Sequence, residues 1–424
     1  MNPGESLLRK VLKILYISLQ LIFNLLHAVI WKIAGRPKKY EASAEVFKIL
    51  LKFKPCYYTV HICNKEDFLV VHESFSHPEI VLQDNIYLYC LTESEACFVD
   101  CGESDVFNEF SFTWKGLNET AVRMITMPLS SFHAVTKNIP KPNIPVLLVH
   151  NTGRCGSTLL ANLFKDIPNT LSLSEAPVFT GIAEMSRNGK LPLNDLKKLC
   201  QSSYALTFKH ANARKSELMF MKALNVDLFV CDILFEAIPS MKQVFLYRQP
   251  LPIIRSYEKL QAVFDWEVPT SVNSLKFNTG IGQHRLTEGF PTVSDEFINS
   301  LTNFGRYSVK YAFAVAAYNQ LVKQGYPIKA IKYEDIVKDP KALFSGLLNH
   351  VDGQLSRLPD IKKVMSNDSQ AGTEWSTRKA NEKLFEGKIT QITDEITTEA
   401  DMICEKFDVP RFWDSIDLPN KIHN

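Results

Sequence analysis

The sequence has no excess of either charge. Its 48 Lys and Arg stand against 46 Asp and Glu, leaving a formal net charge of +2 over 424 residues. That balance argues against the broad basic surface with which proteins hold nucleic acid, so any positive field must be local. There is no internal repeat and no low-complexity tract, which excludes a repeat array and a biased linker. The nine cysteines form no zinc pattern. Cys97 and Cys101 are close, but a second ligand pair at metal spacing is missing, and no metal is expected. Cys63, Cys90 and Cys231 lie in apolar runs, where a buried free thiol is the ordinary state. Hydrophobic residues make up 46% and charged residues 22%, ordinary values for a globular chain long enough for two domains and an appendage.

No small-residue cleavage site follows the apolar segment near the N-terminus, which argues against a removable signal peptide. Residues 14–31 form an uncharged apolar run of 18, at the short end of what spans a bilayer. Arg9, Lys10 and Lys13 precede it, and Lys32, Arg36, Lys38 and Lys39 follow, so the positive-inside rule barely selects an orientation. Lys13, Gln20, Asn24 and His27 fall on one helical stripe, which suits a helix lying in the membrane interface. A signal anchor is the first reading, an interfacial helix the second, and a buried helix the third. Two sequons, Asn118-Glu-Thr120 and Asn367-Asp-Ser369, lend slight support to a lumenal location.

Three organisational units are expected: an anchor or interfacial helix at 1–40, a small β-rich module at 41–140, and an α/β domain at 144–424. In the module, apolar runs at 57–62 and 68–72, 86–91 and 96–99, and 110–114 and 121–127 flank polar turns and read as three strand pairs. Such a module would pack on the larger domain, hold it off the membrane, or take part in acceptor recognition. Pro140, Pro142 and Pro145 mark the boundary. Beyond it, strands are expected at 146–150, 170–173, 206–209, 243–247 and 328–333. Helices are expected at 157–164, 216–229 and 307–323. Near-continuous apolar strands alternating with helices predict a parallel sheet sandwiched by helices, with ligands beyond the strands' C-terminal ends.

The richest stretch is Val146-Leu-Leu-Val-His150, followed by Asn151-Thr-Gly-Arg-Cys-Gly-Ser-Thr158 and a helical pattern. Strand, small-residue loop and helix N-terminus together make an anion cradle of inward N–H groups. The glycines admit close backbone approach, and Arg154 adds a permanent forked cation. A Walker A loop would place a lysine just before the hydroxyl residue. Here Gly156 runs straight into Ser157, which points away from ATP or GTP hydrolysis. A second cluster follows a buried strand: Arg248-Gln-Pro-Leu-Pro-Ile-Ile-Arg-Ser256, an arginine at a strand end and a serine two helical turns on. The two can hold one phosphate between them.

With both clusters in order, about 90 residues apart, the chain resembles the sulfotransferases that use 3′-phosphoadenosine 5′-phosphosulfate (PAPS). The likeness runs over roughly residues 144–380, a span that includes Lys332-Tyr-Glu-Asp-Ile336, and is closer to the carbohydrate, Golgi-type branch than to the cytosolic one. It implies a P-loop-like fold and PAPS as sulfuryl donor. The 5′-phosphosulfate would lie on Gly153, Arg154, Cys155, Gly156, Ser157 and Thr158. Cys155 would be a small filler where the family often has serine. Arg248 and Ser256 would take the 3′-phosphate, with Tyr333 at the same sheet edge. The partners implied are an acceptor substrate (a glycan, a lipid or a small alcohol) and a membrane, but no nucleic acid. A glycan is expected for a lumenal Golgi enzyme; a lipid or small alcohol gains weight if the site faces the cytosol.

Sulfuryl transfer needs positive charge on the leaving phosphate and a base for the acceptor proton. Arg154 suits the first. Glu175, after the second strand in Leu173-Ser-Glu-Ala-Pro177, is the favoured base; the family often has Glu-Pro there, and here Ala176 intervenes. His210 is the alternative, with Lys209 a candidate sulfuryl contact. The family's lysine and histidine are two residues apart, whereas these are adjacent, and neighbours on a strand face opposite ways. Residues 263–300, with Trp266, His284 and Arg285, read as a lid, an acceptor-binding segment or a plain surface excursion. Segment 368–376 resembles the family's late nucleotide-side loop. Two rival readings stand beside this one: a P-loop kinase or NTPase, and a membrane-tethered binding module without activity.

Overall fold

The computed structural model describes residues 43–53, 63–141, 143–264, 290–291, 293–353, 359–367, 369 and 389–422, with scattered positions between 11 and 33. The strand expected at 57–62, most of 368–376, and Trp266, His284 and Arg285 lie outside the described residues.

Among the described residues the chain is mixed α/β with two five-stranded sheets. The first is antiparallel, in the order β2-β1-β5-β4-β3: β1 (Ala44–Lys52), β2 (Phe68–Ser76), β3 (Ile86–Leu91), β4 (Glu95–Asp100) and β5 (Arg123–Pro128). The expected pairing of 86–91 with 96–99 is present as β3 on β4. Of the other two, the partner expected for 68–72 lies outside the described residues, and 110–114 forms no strand to pair with 121–127. β2 pairs with β1, a strand the sequence hid behind Lys48 and Lys52. Residues 113–120 form a helix, α1 (Thr113–Thr120), and β5 lies between β1 and β4. The helix buries Trp114 and Leu117, three residues apart on one face. After β5 comes α2 (Leu129–Lys137).

The second sheet is parallel, in the order β10-β9-β6-β8-β7. Its strands are β6 (Val146–Asn151), β7 (Thr170–Ser174), β8 (Leu218–Lys222), β9 (Lys242–Tyr247) and β10 (Lys329–Lys332). Helices α3 (Ser157–Lys165), α4 (Pro177–Arg187), α5 (Leu193–Ala213), α6 (Cys231–Ala237), α7 (Pro250–Phe264) and α8 (Asn303–Lys323) connect them. The sheet divides two cores. Leu147 and Val149 of β6 and Leu218 and Phe220 of β8 face the one built with α3 and α8. Val146, Leu148, Met219 and Met221 face the other, which runs without a break into the antiparallel sheet. Alternate residues buried on opposite faces explain why these strands read as continuous apolar runs.

Two expectations between 206 and 229 are overturned. Residues 206–209 belong to α5, not to a strand, and the third strand is Leu218–Lys222, inside the stretch expected as a helix. Lys215, in the left-handed region at φ 51°, ends the helix and turns the chain into the strand.

Among the described residues no helix is long and apolar enough to cross a membrane. The described positions between 11 and 33 are helical, and their apolar side chains, Ile14, Leu15, Leu19, Ile22, Leu25 and Leu26 among them, are exposed. Sequon residue Asn118 is buried in α1, its Nδ2 donating to Tyr89 Oη at 3.3 Å, so the folded chain offers no glycan acceptor there.

Candidate active site

The chain leaves β6 toward β7 and β8 on one side and later reaches β9 and β10 on the other, so the loop after β6 lies where strand order reverses. Open α/β sheets leave a crevice at that point. All five parallel strands end on a residue or loop singled out below.

The loop 152–157 is held by its own residues. Asn151 Oδ1 accepts from the Gly153 N–H at 2.9 Å, and Asn151 Nδ2 donates to the Ala223 carbonyl beyond β8 at 2.8 Å. Gly153 and Gly156 have φ of 76° and 88°, and Arg154 between them has φ 52°. A Cβ on Gly153 would overlap the Tyr257 phenol, and one on Gly156 would overlap the Tyr333 ring. Both glycines are therefore fixed by conformation and by space. Cys155 is fully buried, and burial pushes its thiol up from the ordinary range. Ser157 and Thr158 open α3, which is clamped from below by Phe164 stacked on Phe220 of β8 at 4.3 Å.

Arg154 Nε donates to Ser256 Oγ at 2.8 Å, so the loop and the second cluster meet directly. Arg248 follows β9 and lies over the Tyr333 ring, 4.4 Å from its centroid, the same ring that covers Gly156. The Arg248 Nε is buried and has no hydrogen-bond partner among the described residues. A buried charged donor of this kind calls for an acceptor, and an anionic group such as a phosphate fits it.

Glu175 follows β7 at φ 58°, an unusual conformation for a non-glycine residue. Its N–H donates to the Lys222 carbonyl at 2.7 Å. Lys222 ends β8, and its Nζ donates to Glu175 Oε1 at 2.6 Å and to Thr158 Oγ1 at 3.2 Å. The lysine side chain is 3% exposed and the glutamate side chain 13%. Sequence reading missed Lys222 because it placed this strand elsewhere. The available signal was Leu218-Met-Phe-Met-Lys222, four apolar residues closed by a cation. Lys222 stands beside the α3 N-terminus, so a lysine reaches the loop from the neighbouring strand. Asp227, in the 3₁₀ turn after β8, accepts from Thr180 Oγ1 at 2.9 Å. Burial raises its carboxyl to about 7, opposed by its hydrogen bonds and aided by the Glu175 charge.

Lys209 and His210 are not at this site. Both are buried on α5 against the antiparallel sheet. Lys209 Nζ donates to the carbonyls of Val81 at 2.6 Å and Gln83 at 2.8 Å, and also to that of Ile86. Burial pushes the ammonium down to about 7. His210 stacks on Tyr87 with centroids 4.7 Å apart, and burial holds its imidazole well below the usual range. These two residues fasten α5 to the antiparallel sheet, away from the Lys222–Glu175 pair.

No protein-family model and no curated protein matches the sequence. Solved structures similar to it include sulfotransferases. The sulfotransferase domain from the curacin biosynthetic pathway is 13% identical, with a TM-score of 0.36, and covers 64% of this chain and 100% of its own. A sulfotransferase from Mycobacterium avium is 12% identical, with a TM-score of 0.34, over 66% of this chain and 82% of its own. One from Alicyclobacillus acidocaldarius is also 12% identical, with a TM-score of 0.32, over 63% and 95%. At these scores the likeness does not bear on the chemistry of the site.

Proposed function

We propose that the chain is a PAPS-dependent sulfotransferase acting on a hydroxyl acceptor, a glycan if its site faces the Golgi lumen. The observation that carries this reading is the meeting of the two phosphate clusters, Arg154 on Ser256, beside a buried Lys222–Glu175 pair. Arg248 and Ser256 take the 3′-phosphate, and the buried Nε of Arg248 finds its acceptor there. The N-terminus of α3, Ser157, Thr158 and Arg154 take the 5′-phosphosulfate. Lys222 is placed between Thr158 and Glu175 to bear on the sulfuryl oxygens. The acceptor oxygen attacks sulfur, the bond from sulfur to the bridging oxygen breaks with its electron pair leaving on the 5′-phosphate, and the acceptor proton passes to Glu175.

Calorimetry on the full chain tests the nucleotide assignment. PAP, the desulfated product, is expected to bind with micromolar or tighter affinity, and in preference to ADP. Arg248→Ala should weaken PAP by about 2–3 kcal/mol, roughly 30- to 150-fold, as loss of a charged hydrogen bond does. Adenosine 5′-phosphosulfate, which lacks the 3′-phosphate, should be nearly unaffected. Equal loss for both ligands would move Arg248 away from the 3′-phosphate, and preference for ADP would favour a kinase or NTPase.

The exposed apolar side chains between 11 and 33 support membrane attachment of the N-terminus. Deletion of residues 1–40 should release the protein to the soluble fraction. Carbonate extraction then separates the two modes, because a spanning helix resists it and an interfacial helix is released. Full-length protein already in the soluble fraction would contradict both.

A further inference from the structure

We propose that Trp114, carried by the antiparallel sheet's helix α1, is a positioning residue for Glu175, so that the N-terminal module completes the active site. The inference rests on the sulfotransferase reading for what Glu175 does, but not for the contact itself. Trp114 Nε1 donates to Glu175 Oε2 at 3.0 Å, while Lys222 Nζ holds Oε1 at 2.6 Å. The carboxylate is gripped at both oxygens, once from each sheet. Phe112, just before α1, lies with its ring centroid 4.9 Å from Lys222 Nζ and stacks on Trp114 at 6.2 Å. Both rings are buried, at 5% and 7% exposure, so they form a wall behind the ion pair and not an open platform for ligand.

The two grips do different work. Lys222 is a flexible cation that a sulfuryl group competes for. A glutamate held by the lysine alone would follow it. The indole N–H is donor-only, so it fixes Oε2 without competing for the acceptor's proton. Holding the base in place while its counter-ion turns to the donor is the preorganisation an acid–base step requires. The wider join between the sheets does not depend on this bond. Lys209 on its three carbonyls and His210 on Tyr87 fasten α5 to the antiparallel sheet independently.

Trp114→Phe removes the donor and keeps a ring. On the full chain, release of labelled sulfate from PAPS, with water as acceptor, should fall about 10- to 100-fold, the loss expected of a hydrogen bond to a charged group. PAP affinity should not change. In a Glu175→Gln background the same substitution should cost nothing further, because it acts through Glu175. A loss of equal size in both backgrounds, or a loss of PAP affinity in step with turnover, would make Trp114 a packing residue and overturn the proposal. An indole N–H spectrum reads the bond without any turnover. The cross-peak that vanishes in Trp114→Phe should shift in Glu175→Gln, and an unmoved peak overturns the contact. Wild-type protein that fails to bind PAP while the peak still shifts would sink the sulfotransferase reading and leave the contact standing.

Discussion

Glu175→Gln should cut turnover by roughly 10²–10⁴-fold, the usual contribution of a positioned base. The glutamine keeps the size of the side chain and can still accept one hydrogen bond, from Lys222 or from Trp114, but it cannot take the acceptor's proton. PAP affinity should be nearly unchanged. Glu175 follows β7, an edge strand, while Arg248 follows β9 and Ser256 lies in α7, beyond the central strand. His210→Ala supplies the contrast. It empties a stacked site against Tyr87 and Phe107, so it should lower Tm while turnover per folded molecule stays near normal. Near-normal turnover in the glutamine variant would remove Glu175 from the base's role.

What the sequence made legible, and what it hid, follow from the same physics. β6 and β9, inside the sheet, were readable because a parallel strand buried on both faces is largely apolar. The edge strands carry weaker signals: β7 alternates Leu with Ser, and β10 holds only Ala330 and Ile331 between two lysines. The loop after β6 was readable because its glycines have no substitutes, with Tyr257 over one and Tyr333 over the other. Lys222 was hidden for a local reason. A short apolar run does not distinguish strand from helix by periodicity. Leu218–Lys222 has no β-branched residue to mark it, and α5 is buried over much of its surface, so Ala205–Phe208 resembled a strand as well as Met219–Met221 did. The boundary between them is set by Lys215 in a left-handed turn, a position usually marked by glycine or asparagine. Trp114 was hidden for a different reason. Its partner lies 61 residues away on another sheet, and no local pattern carries a contact of that range.

Lys222 is also where charge and catalysis can be separated most cleanly. Lys222→Met keeps the length of the side chain and removes its charge. Two losses should follow. The first is stability, because Glu175 is left at 13% side-chain exposure with no cation beside it, and stranding one member of a largely buried ion pair costs on the order of 3 kcal/mol. Tm should fall. The second is turnover, by about 10²–10³-fold, as when a preorganised donor to developing negative charge is removed. PAP lacks the sulfuryl group, so its affinity should fall far less than turnover. The double variant Lys222→Met/Glu175→Gln tells the two effects apart. Removing both charges should restore Tm toward wild type, since no ion is left unpaired. Turnover should stay at or below that of the single variants, because neither the sulfuryl contact nor the base is present. Recovery of turnover along with Tm would mean that Lys222 serves only to neutralise Glu175. The sulfuryl contact would then have to come from Arg154 and the N-terminus of α3.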